Sequence, residues 1–424
     1  MSPSMISIFT PTHDPRYLDE CLESLLAQTH QDWEWIVVFN GKAARRNHAW
    51  MQKTPDDRIK TFVAPGDVRG VGALKQFACS MAKGEYLVEL DHDDILLPDA
   101  LESIKDAFDT DQNAVFVYSD YAQINADGTP NKTEFSEKFG WEYAYEEHSG
   151  KRYSRCKSPY HFPSAVSFIW FAPNHVRAFR RNAYDIVGGY NADLDILDDQ
   201  ELMGRLYRAG NFHHIDKLLY LQRVHDENTQ KDPVLNARIQ EETVQQYDQN
   251  IEQNAIAWAR RNNLHTLDLG GAHNAPPGYT TVDLHDADFV GDVFEVLDGL
   301  PEDSVGVIRA VDFLEHIEDK VRLFNSMYRV LAHGGMVLSM TPSTDGRGAF
   351  QDPTHVSFYN ENSFWYYTDK ELAKFVPEIK CRFQATRLYT AHPSEWHKQV
   401  NICYTHAHLT AVKNGARIAG ELRI

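Results

Sequence analysis

What most constrains this chain is a pattern that starts twice: short apolar runs, each leading into a stretch with apolar residues at helical spacing. Ile6 to Thr10 is such a run, ended by Pro11, and Tyr17 to Gln28 then carries Leu18, Cys21, Leu22, Leu25 and Leu26. Trp33 to Phe39 reads as a buried strand stopped by Asn40-Gly41. Strand, helix and strand with short connections predict a parallel sheet. The alternation continues with a strand at Ile59–Val63, a helix over Val71–Ala82, a strand at Tyr86–Leu90, a helix at about Asp99–Phe108 and a strand at Val115–Tyr118.

From Asn131 to Pro163 the periodicity disappears, which predicts a long irregular segment of the functional or mobile kind. Strands at Ala165–Phe171 and Val176–Arg180 and a helix at Asp199–Ala209 are expected next. Val234 to Asn262 is charged, Gln-rich and helical in pattern, and reads as a connector. Beyond it the alternation restarts, with strands at Thr266–Leu269, Thr280–Asp283, Val307–Ala310 and Gly335–Met340 and helices at about Glu318–Leu331 and Asn362–Tyr367. A single core stops growing beyond about 250–300 residues, so 424 residues predict two domains. The boundaries expected are 1–233, a connector 234–263, and 264–424.

Composition narrows the class further. The formal net charge of −19 repels phosphate backbones, and the basic clusters, Arg45-Arg46 and Arg177 with Arg180-Arg181, are short. Nucleic acid is therefore not an expected partner. No run approaches the ~20 apolar residues of a membrane span, and no secretory signal is evident at Met1–Phe9. Five widely spaced cysteines fit neither a disulfide framework nor a zinc site, so a reducing cytoplasm is expected.

The sharpest chemical signal is Leu90-Asp91-His92-Asp93-Asp94, where a buried strand ends. In open α/β sheets ligands bind outside the carboxyl ends of the strands. Carboxylates this close repel one another unless a cation neutralises them, and a hard divalent ion bridging to a diphosphate does so. Taken alone, the segment also reads as a solvated turn capping the next helix.

The surrounding residues resemble family 2 glycosyltransferases, which have the GT-A fold. The resemblance runs through Ile8-Phe9-Thr10-Pro11-Thr12, Leu25-Leu26-Ala27-Gln28-Thr29, Trp35-Ile36-Val37-Val38 and Gly84-Glu85-Tyr86-Leu87 to Asp91-His92-Asp93-Asp94. It implies Asp93 as the main metal ligand, Asp91 at the nucleoside or ribose, and nucleotide-sugar contacts from Thr10, Pro11, Thr12, Asn40 and Lys75. Asp94 is a weaker candidate for the metal.

A second match, Gly188-Gly189-Tyr190-Asn191 followed by Leu197-Asp198-Asp199-Gln200-Glu201, implies Asp199 as the catalytic base of an inverting transfer; a helix N-cap is the plainer reading. A third, Tyr220 to Thr229, makes His225 a plausible ligand for Mn²⁺ or Mg²⁺, against that of a surface histidine. Two departures stand out: Asn40-Gly41 where the family commonly has an aspartate, and Lys75-Gln76 where an Arg-Asn pair is common. A UDP-sugar is the leading donor, and a glycan or other hydroxyl compound the acceptor.

In the second half, Leu267-Asp268-Leu269-Gly270-Gly271, Val282-Asp283, Gly291-Asp292-Val293, Val311 to Ile317 and Tyr328 to Gly335 resemble a class I S-adenosylmethionine-dependent methyltransferase, from about Leu264 to Thr368. The resemblance implies a Rossmann-like fold with the methionine part at Gly270 and Gly271, ribose at Asp283 and adenine at Asp292. The glycine loop departs from the family by continuing as Ala272-His273-Asn274. Glu315, His316 and His355 are candidate bases, with Glu315-His316 alternatively the start of a helix. Three functions follow: a bifunctional enzyme, a glycosyltransferase with a C-terminal binding or dimerisation module, and a nucleotide-sugar-binding protein without turnover.

Overall fold

The computed structural model describes residues 5–41, 50, 56–226, 228, 231–272, 274–414 and 418. Arg45-Arg46, Glu227, Thr229 and His273 lie outside the described residues. The chain separates into two compact units, one mainly 1–249 and the other mainly 250–424, with 138–140 and 162–165 assigned to the second. The division falls inside the long helix Pro233–Arg261.

The first unit opens with β1 (Ile6–Thr12), α1 (Leu18–Leu26), β2 (Trp33–Phe39), β3 (Ile59–Val63), α2 (Val71–Met81), β4 (Tyr86–Glu89), β5 (Ile95–Leu96), α3 (Ala100–Thr110) and β6 (Ala114–Asn125). After them come β7 (Glu142–His148), β8 (Lys151–Lys157), β9 (Arg177–Arg180), α4 (Arg181–Ile186), α5 (Asp198–Ala209), β10 (Asn211–Val224) and α6 (Pro233–Arg261). The sheet runs β3-β2-β1-β4-β9-β6-β10-β5, with β8 joined to β6 and β7 to β8. Strands β3, β2, β1 and β4 are parallel, while β9 is antiparallel to both β4 and β6.

Every residue of β2 and β4 is buried, as expected of parallel strands covered on both faces. Helix α1 buries Leu18, Cys21 and Leu25, at i, i+3 and i+7, against that sheet. Full burial of each leucine contributes roughly 1.5–3 kcal/mol. Strand order reverses between β1 and β4, where the chain has gone first to one side and then to the other. That reversal opens a crevice at the carboxyl ends of the two strands.

Two expectations fail in this unit. The stretch expected to be irregular, Asn131 to Pro163, contains the hairpin β7–β8. Most of β7 is exposed or half-buried, so no apolar run announces it. Ala165 to Phe171, expected as a strand, instead begins within a single helical turn at Pro163–Val166 and continues in turns. Pro163 at the start of that turn has the fixed φ and missing N–H that a first helical position accepts.

The second unit has β11 (His265–Leu269), β12 (Thr280–Asp283), β13 (Phe289–Val290), α7 (Val293–Gly299), β14 (Val305–Val311), α8 (Lys320–Val330), β15 (Leu331–Pro342), α9 (Glu361–Thr368), β16 (Phe383–Ala391) and β17 (Tyr404–Ala411), with shorter helical turns between them. Its sheet runs β13-β12-β11-β14-β15-β17-β16. The first five strands are parallel in the Rossmann order 3-2-1-4-5, and β17 is antiparallel to both β15 and β16. The α/β class expected for both halves holds. All five cysteines are buried and unpaired. Among the described residues no helix is long and apolar enough to cross a membrane.

Candidate active site

Strand β4 delivers the acidic turn. Asp94 N–H donates to the Asp91 carbonyl at 3.2 Å and closes it. Asp93 and Asp94 are buried and Asp91 is half-buried. Arg223 of β10, itself 1% exposed, holds the turn from behind. Its backbone N–H donates to Asp94 Oδ1 at 2.6 Å and its Nε to the Asp93 carbonyl at 2.7 Å. Its Nη2 meets Glu20 Oε2 at 2.6 Å, and its guanidinium lies 4.3 Å from the centre of the Tyr17 ring.

Burial, then the neighbouring charges of Asp93 and Asp91, push the Asp94 carboxyl well above the ordinary carboxylate range. Asp91 is raised as well, by burial first and then by Glu89. A cation would relieve both.

Asp93 and His225, expected as ligands from segments far apart in sequence, come together at 2.8 Å between Oδ2 and Nε2. Asp91, Asp94 and His175 form a second donor group, offering one ligand atom each within 4.8 Å of one another. His175 is 3% exposed, stacks on Tyr220 with ring centres 4.3 Å apart, and leaves a buried Nδ1 without a hydrogen-bond partner. Burial, followed by Arg177, lowers its pKa well below the usual value, which keeps the imidazole neutral, the form that ligates. Carboxylates and a neutral imidazole with an unsatisfied nitrogen fit a divalent cation of the Mn²⁺ or Mg²⁺ kind.

Beside this turn lies a buried network of alternating charge. Lys75 Nζ contacts Glu89 Oε1 at 2.7 Å and Asp198 Oδ2 at 2.8 Å. Arg177 contacts Glu89 Oε2 at 3.2 Å and Asp199 Oδ2 at 2.9 Å. Tyr190 donates its hydroxyl to Glu89 Oε2 at 3.0 Å. Burial pulls the Lys75 pKa down, but Asp198 and Glu89 outweigh it and hold the ammonium above its ordinary range. Burial pushes Glu89 up, but Lys75 and Arg177 hold it well below.

Asp199 is the second residue of α5, which follows Leu197 in the left-handed region at φ 55. Its Oδ1 accepts the Gln200 N–H at 2.8 Å. Lys75 is thus engaged with carboxylates, and Asp199 is aimed by Arg177.

The remaining nucleotide candidates gather at the ends of β1 and β2. Thr10 is buried; its hydroxyl donates to the Leu90 carbonyl at 2.7 Å and accepts from Trp35 Nε1 at 2.9 Å. Thr12 is buried and donates to the Asp14 carbonyl. Pro11 and Asn40 are half-buried, and Asn40 N–H donates to the Thr12 carbonyl. These threonines brace the crevice, and Pro11 and Asn40 stay partly open to solvent beside them.

Sequence reasoning missed Glu89, His175, Arg177 as a pairing residue, Tyr190 and Arg223. Each has its partners far along the chain, so no local spacing marks it.

In the second unit, Gly270 follows β11 at φ 78, and a Cβ there would lie 2.7 Å from the Phe313 ring. A Cβ on Gly271 would lie 2.5 Å from the Asp268 carboxylate, which pairs with Arg309 at 2.7 Å. Both glycines are therefore required by protein packing. Asp283 is half-buried at the end of β12, where a ribose-binding acid belongs. Asp292 is exposed and its Oδ1 accepts the Phe294 N–H at 2.8 Å, capping α7. Asp283 fits the adenosine half of the cofactor, whereas the glycine turn is accounted for without it.

These features define an α/β chain of two parts, a GT-A-like unit with an acidic crevice and a Rossmann-like unit. Residues 7–187 match the family described as glycosyl transferase family 2, and residues 241–339 match a methyltransferase domain. The chain thus joins a glycosyl transferase family 2 domain to a methyltransferase domain.

It is similar to chondroitin synthase of Escherichia coli, 27% identical over 226 residues, covering 53% of this chain and 30% of that one. It is also similar to hyaluronan synthase of Pasteurella multocida, 25% identical over 226 residues, covering 53% of this chain and 21% of that one. The chain spans less than a third of the length of either synthase. Among solved structures, S. aureus TarS 1–349 in complex with UDP-GlcNAc has a TM-score of 0.43 and 16% identity, over 61% of this chain and 71% of that one.

Proposed function

We propose that the first unit transfers a glycosyl group, with inversion, from a nucleotide-diphosphate sugar to an acceptor hydroxyl. The observation that carries this reading is the contact of Asp93 with His225 at 2.8 Å, on the acidic turn where strand order reverses. Family 2 membership supports it. Asp93 and His225, with Asp91, Asp94 and His175 at hand, would hold a divalent cation, which would supply positive charge for the departing diphosphate. Asp91 contacts the nucleoside, and Pro11 and Asn40 border it.

Asp199 accepts the acceptor's proton as its oxygen bonds to the anomeric carbon and the bond to the diphosphate breaks. Arg177 and the Gln200 N–H fix that carboxylate, leaving its remaining lone pairs for the acceptor. A UDP-sugar is the donor proposed, with a glycan or related hydroxyl compound as acceptor.

For the second unit we propose S-adenosylmethionine binding and methyl transfer, with Asp283 at the ribose. A second reading, a binding or dimerisation module, is favoured by the Phe313 ring packed on Gly270 and by the lack of later glycines in the loop.

The test is a thermal-shift panel of UDP-, GDP-, dTDP- and CDP-sugars with and without Mn²⁺, with S-adenosylmethionine as a separate arm. A metal-dependent rise in melting temperature with one donor, followed by turnover, is expected. No response to any donor would remove the first reading. Failure to retain labelled S-adenosylmethionine would leave the module reading for the second unit.

A further inference from the structure

Strand β14 ends at Val311 in the middle of the second sheet, and the chain turns through Asp312 (φ 50) into a tight helical turn at Leu314–His316. The loop after β15 returns to this turn. Val356 and Ser357 N–H groups both donate to the Glu315 carbonyl at 2.9 Å, so the segment bearing His355 is tied to the one bearing Glu315 and His316. Glu315, His316 and His355 each present one ligand atom within 4.8 Å of the others. Bonds of about 2.1 Å place the ligand atoms of one ion roughly 3–4 Å apart, so a bound ion would draw the exposed His316 side chain inward.

Two further observations show that these side chains are set for a ligand. Glu315 is 2% exposed; its Oε2 accepts from Thr341 Oγ1 at 2.8 Å, but its buried Oε1 has no hydrogen-bond partner. An unmet buried carboxylate oxygen is costly unless a cation or donor reaches it.

The histidines are oriented in the same way as each other. His316 Nδ1 lies 3.3 Å from the Thr354 carbonyl, and His355 Nδ1 lies 3.0 Å from the Ala349 carbonyl. A carbonyl can only accept, and the Thr354 hydroxyl, 3.2 Å from His316 Nδ1, already donates to Asp352, so a proton on Nδ1 would satisfy each carbonyl and leave Nε2 as the ligating nitrogen. That is how an outer-shell carbonyl prepares an imidazole to bind metal.

We propose that Glu315, His316 and His355 form a second metal site, one that binds a divalent first-row transition cation such as Zn²⁺ or Mn²⁺. Two imidazoles and one carboxylate favour such ions over Mg²⁺ or Ca²⁺. The site lies at the carboxyl end of a central strand, where sheets of this order receive their ligands. It does not depend on S-adenosylmethionine binding or on the acidic turn of the first unit.

The test uses the full chain, stripped with a chelator and titrated with Zn²⁺ and Mn²⁺ by calorimetry, with bound metal counted by elemental analysis. The unmodified chain is compared with H316A/H355A, with E315Q and with D93N. The histidine pair is expected to lose one equivalent, its affinity falling by more than the roughly 10- to 100-fold that loss of an outer-shell partner costs. D93N retains that equivalent.

Co²⁺ gives a spectroscopic readout: its visible absorption in the unmodified chain and in D93N is expected to vanish in H316A/H355A. E315Q, which can keep the Thr341 contact, guards against misfolding, because it weakens metal binding without lowering the metal-free melting temperature. Unchanged stoichiometry and affinity in H316A/H355A, or loss of that equivalent in D93N, would overturn the proposal.

Discussion

At the end of β4 the buried charges of the first unit are paired with one another: Glu89 meets Lys75 and Arg177, and Lys75 in turn meets Asp198. At the end of β14 in the second unit, Glu315 has one oxygen bonded and one without a partner, and two histidines stand near it with their Nδ1 atoms on backbone carbonyls. A closed network fixes geometry, since every member is held from two sides, but its members are spent on one another. An open cluster keeps its valences for a ligand. On the function proposed, Lys75 and Arg177 shape the first site, while Asp93, His225 and Asp199 serve it.

Asp199→Asn tests that division most severely. The substitution keeps the shape and a hydrogen bond to Arg177 but removes the base, so turnover should fall roughly 10²- to 10⁴-fold with little change in melting temperature. A variant that turns over at the unmodified rate would place the base elsewhere and make Asp199 a member of the closed network.

Lys75→Met comes next. It leaves Glu89 and Asp198 short of a partner, and breaking a buried ion pair costs about 3–5 kcal/mol. Urea unfolding should show a loss of that order. A variant of unchanged stability with a raised donor KM would return Lys75 to the nucleotide-sugar contact that the sequence suggested.

The pH dependence carries the same comparison. Glu89 is depressed, so its contribution is complete above the unfolded glutamate value and fades as pH falls through the lower folded one. Lys75 is raised, so its contribution is complete below the unfolded lysine value and fades as pH rises through the higher folded one. The stability gap between the unmodified chain and Lys75→Met should therefore be flat from about pH 5 to about pH 10. A gap that shrinks steadily on leaving neutrality would mean that the network is not the closed pairing described.

What the sequence made legible follows from where the information sits. Strands β1, β2 and β4 are short apolar runs with clear stops, so local pattern finds them. Strand β7 has no such run, because Glu142-Tyr143-Ala144-Tyr145 lies mostly toward solvent. The apolar residues of Ala165–Phe171 fit a buried turn as well as a strand, since a short continuous run has no period to decide between them.

In the site, Asp91 to Asp94 stand out because four polar residues end an apolar strand, and His225 because it follows a strand within a familiar segment. Glu89 is a single acid in an apolar run, and its partners Lys75, Arg177 and Tyr190 reach it only through the sheet. Arg223 holds Asp93 and Asp94 across 130 and 129 residues, a distance that no spacing rule spans.

Gly270→Ala probes the second unit at its tightest turn. A β-carbon at φ 78, 2.7 Å from the Phe313 ring, strains the backbone and displaces an aromatic side chain. A loss of about 1–3 kcal/mol is expected, read in urea unfolding, with sugar transfer by the folded protein unchanged. Gly299→Ala, where nothing lies within 4 Å, is the matched control. Equal effects would show that the Gly270 turn is not the packed element described.

The smallest effect separates capping from binding at Asp292. Its Oδ1 accepts the Phe294 N–H at 2.8 Å, and replacing a capping aspartate by alanine costs about 1 kcal/mol. Asparagine caps nearly as well, so Asp292→Asn should leave the melting temperature within a degree or so of the unmodified chain, since about 1 kcal/mol corresponds to only a few degrees in domains of this size. The two substitutions therefore differ in stability but both remove the carboxylate. If Asp292 contacts adenine, both weaken S-adenosylmethionine binding alike. If it only caps α7, asparagine binds as the unmodified chain does, and binding follows stability rather than charge.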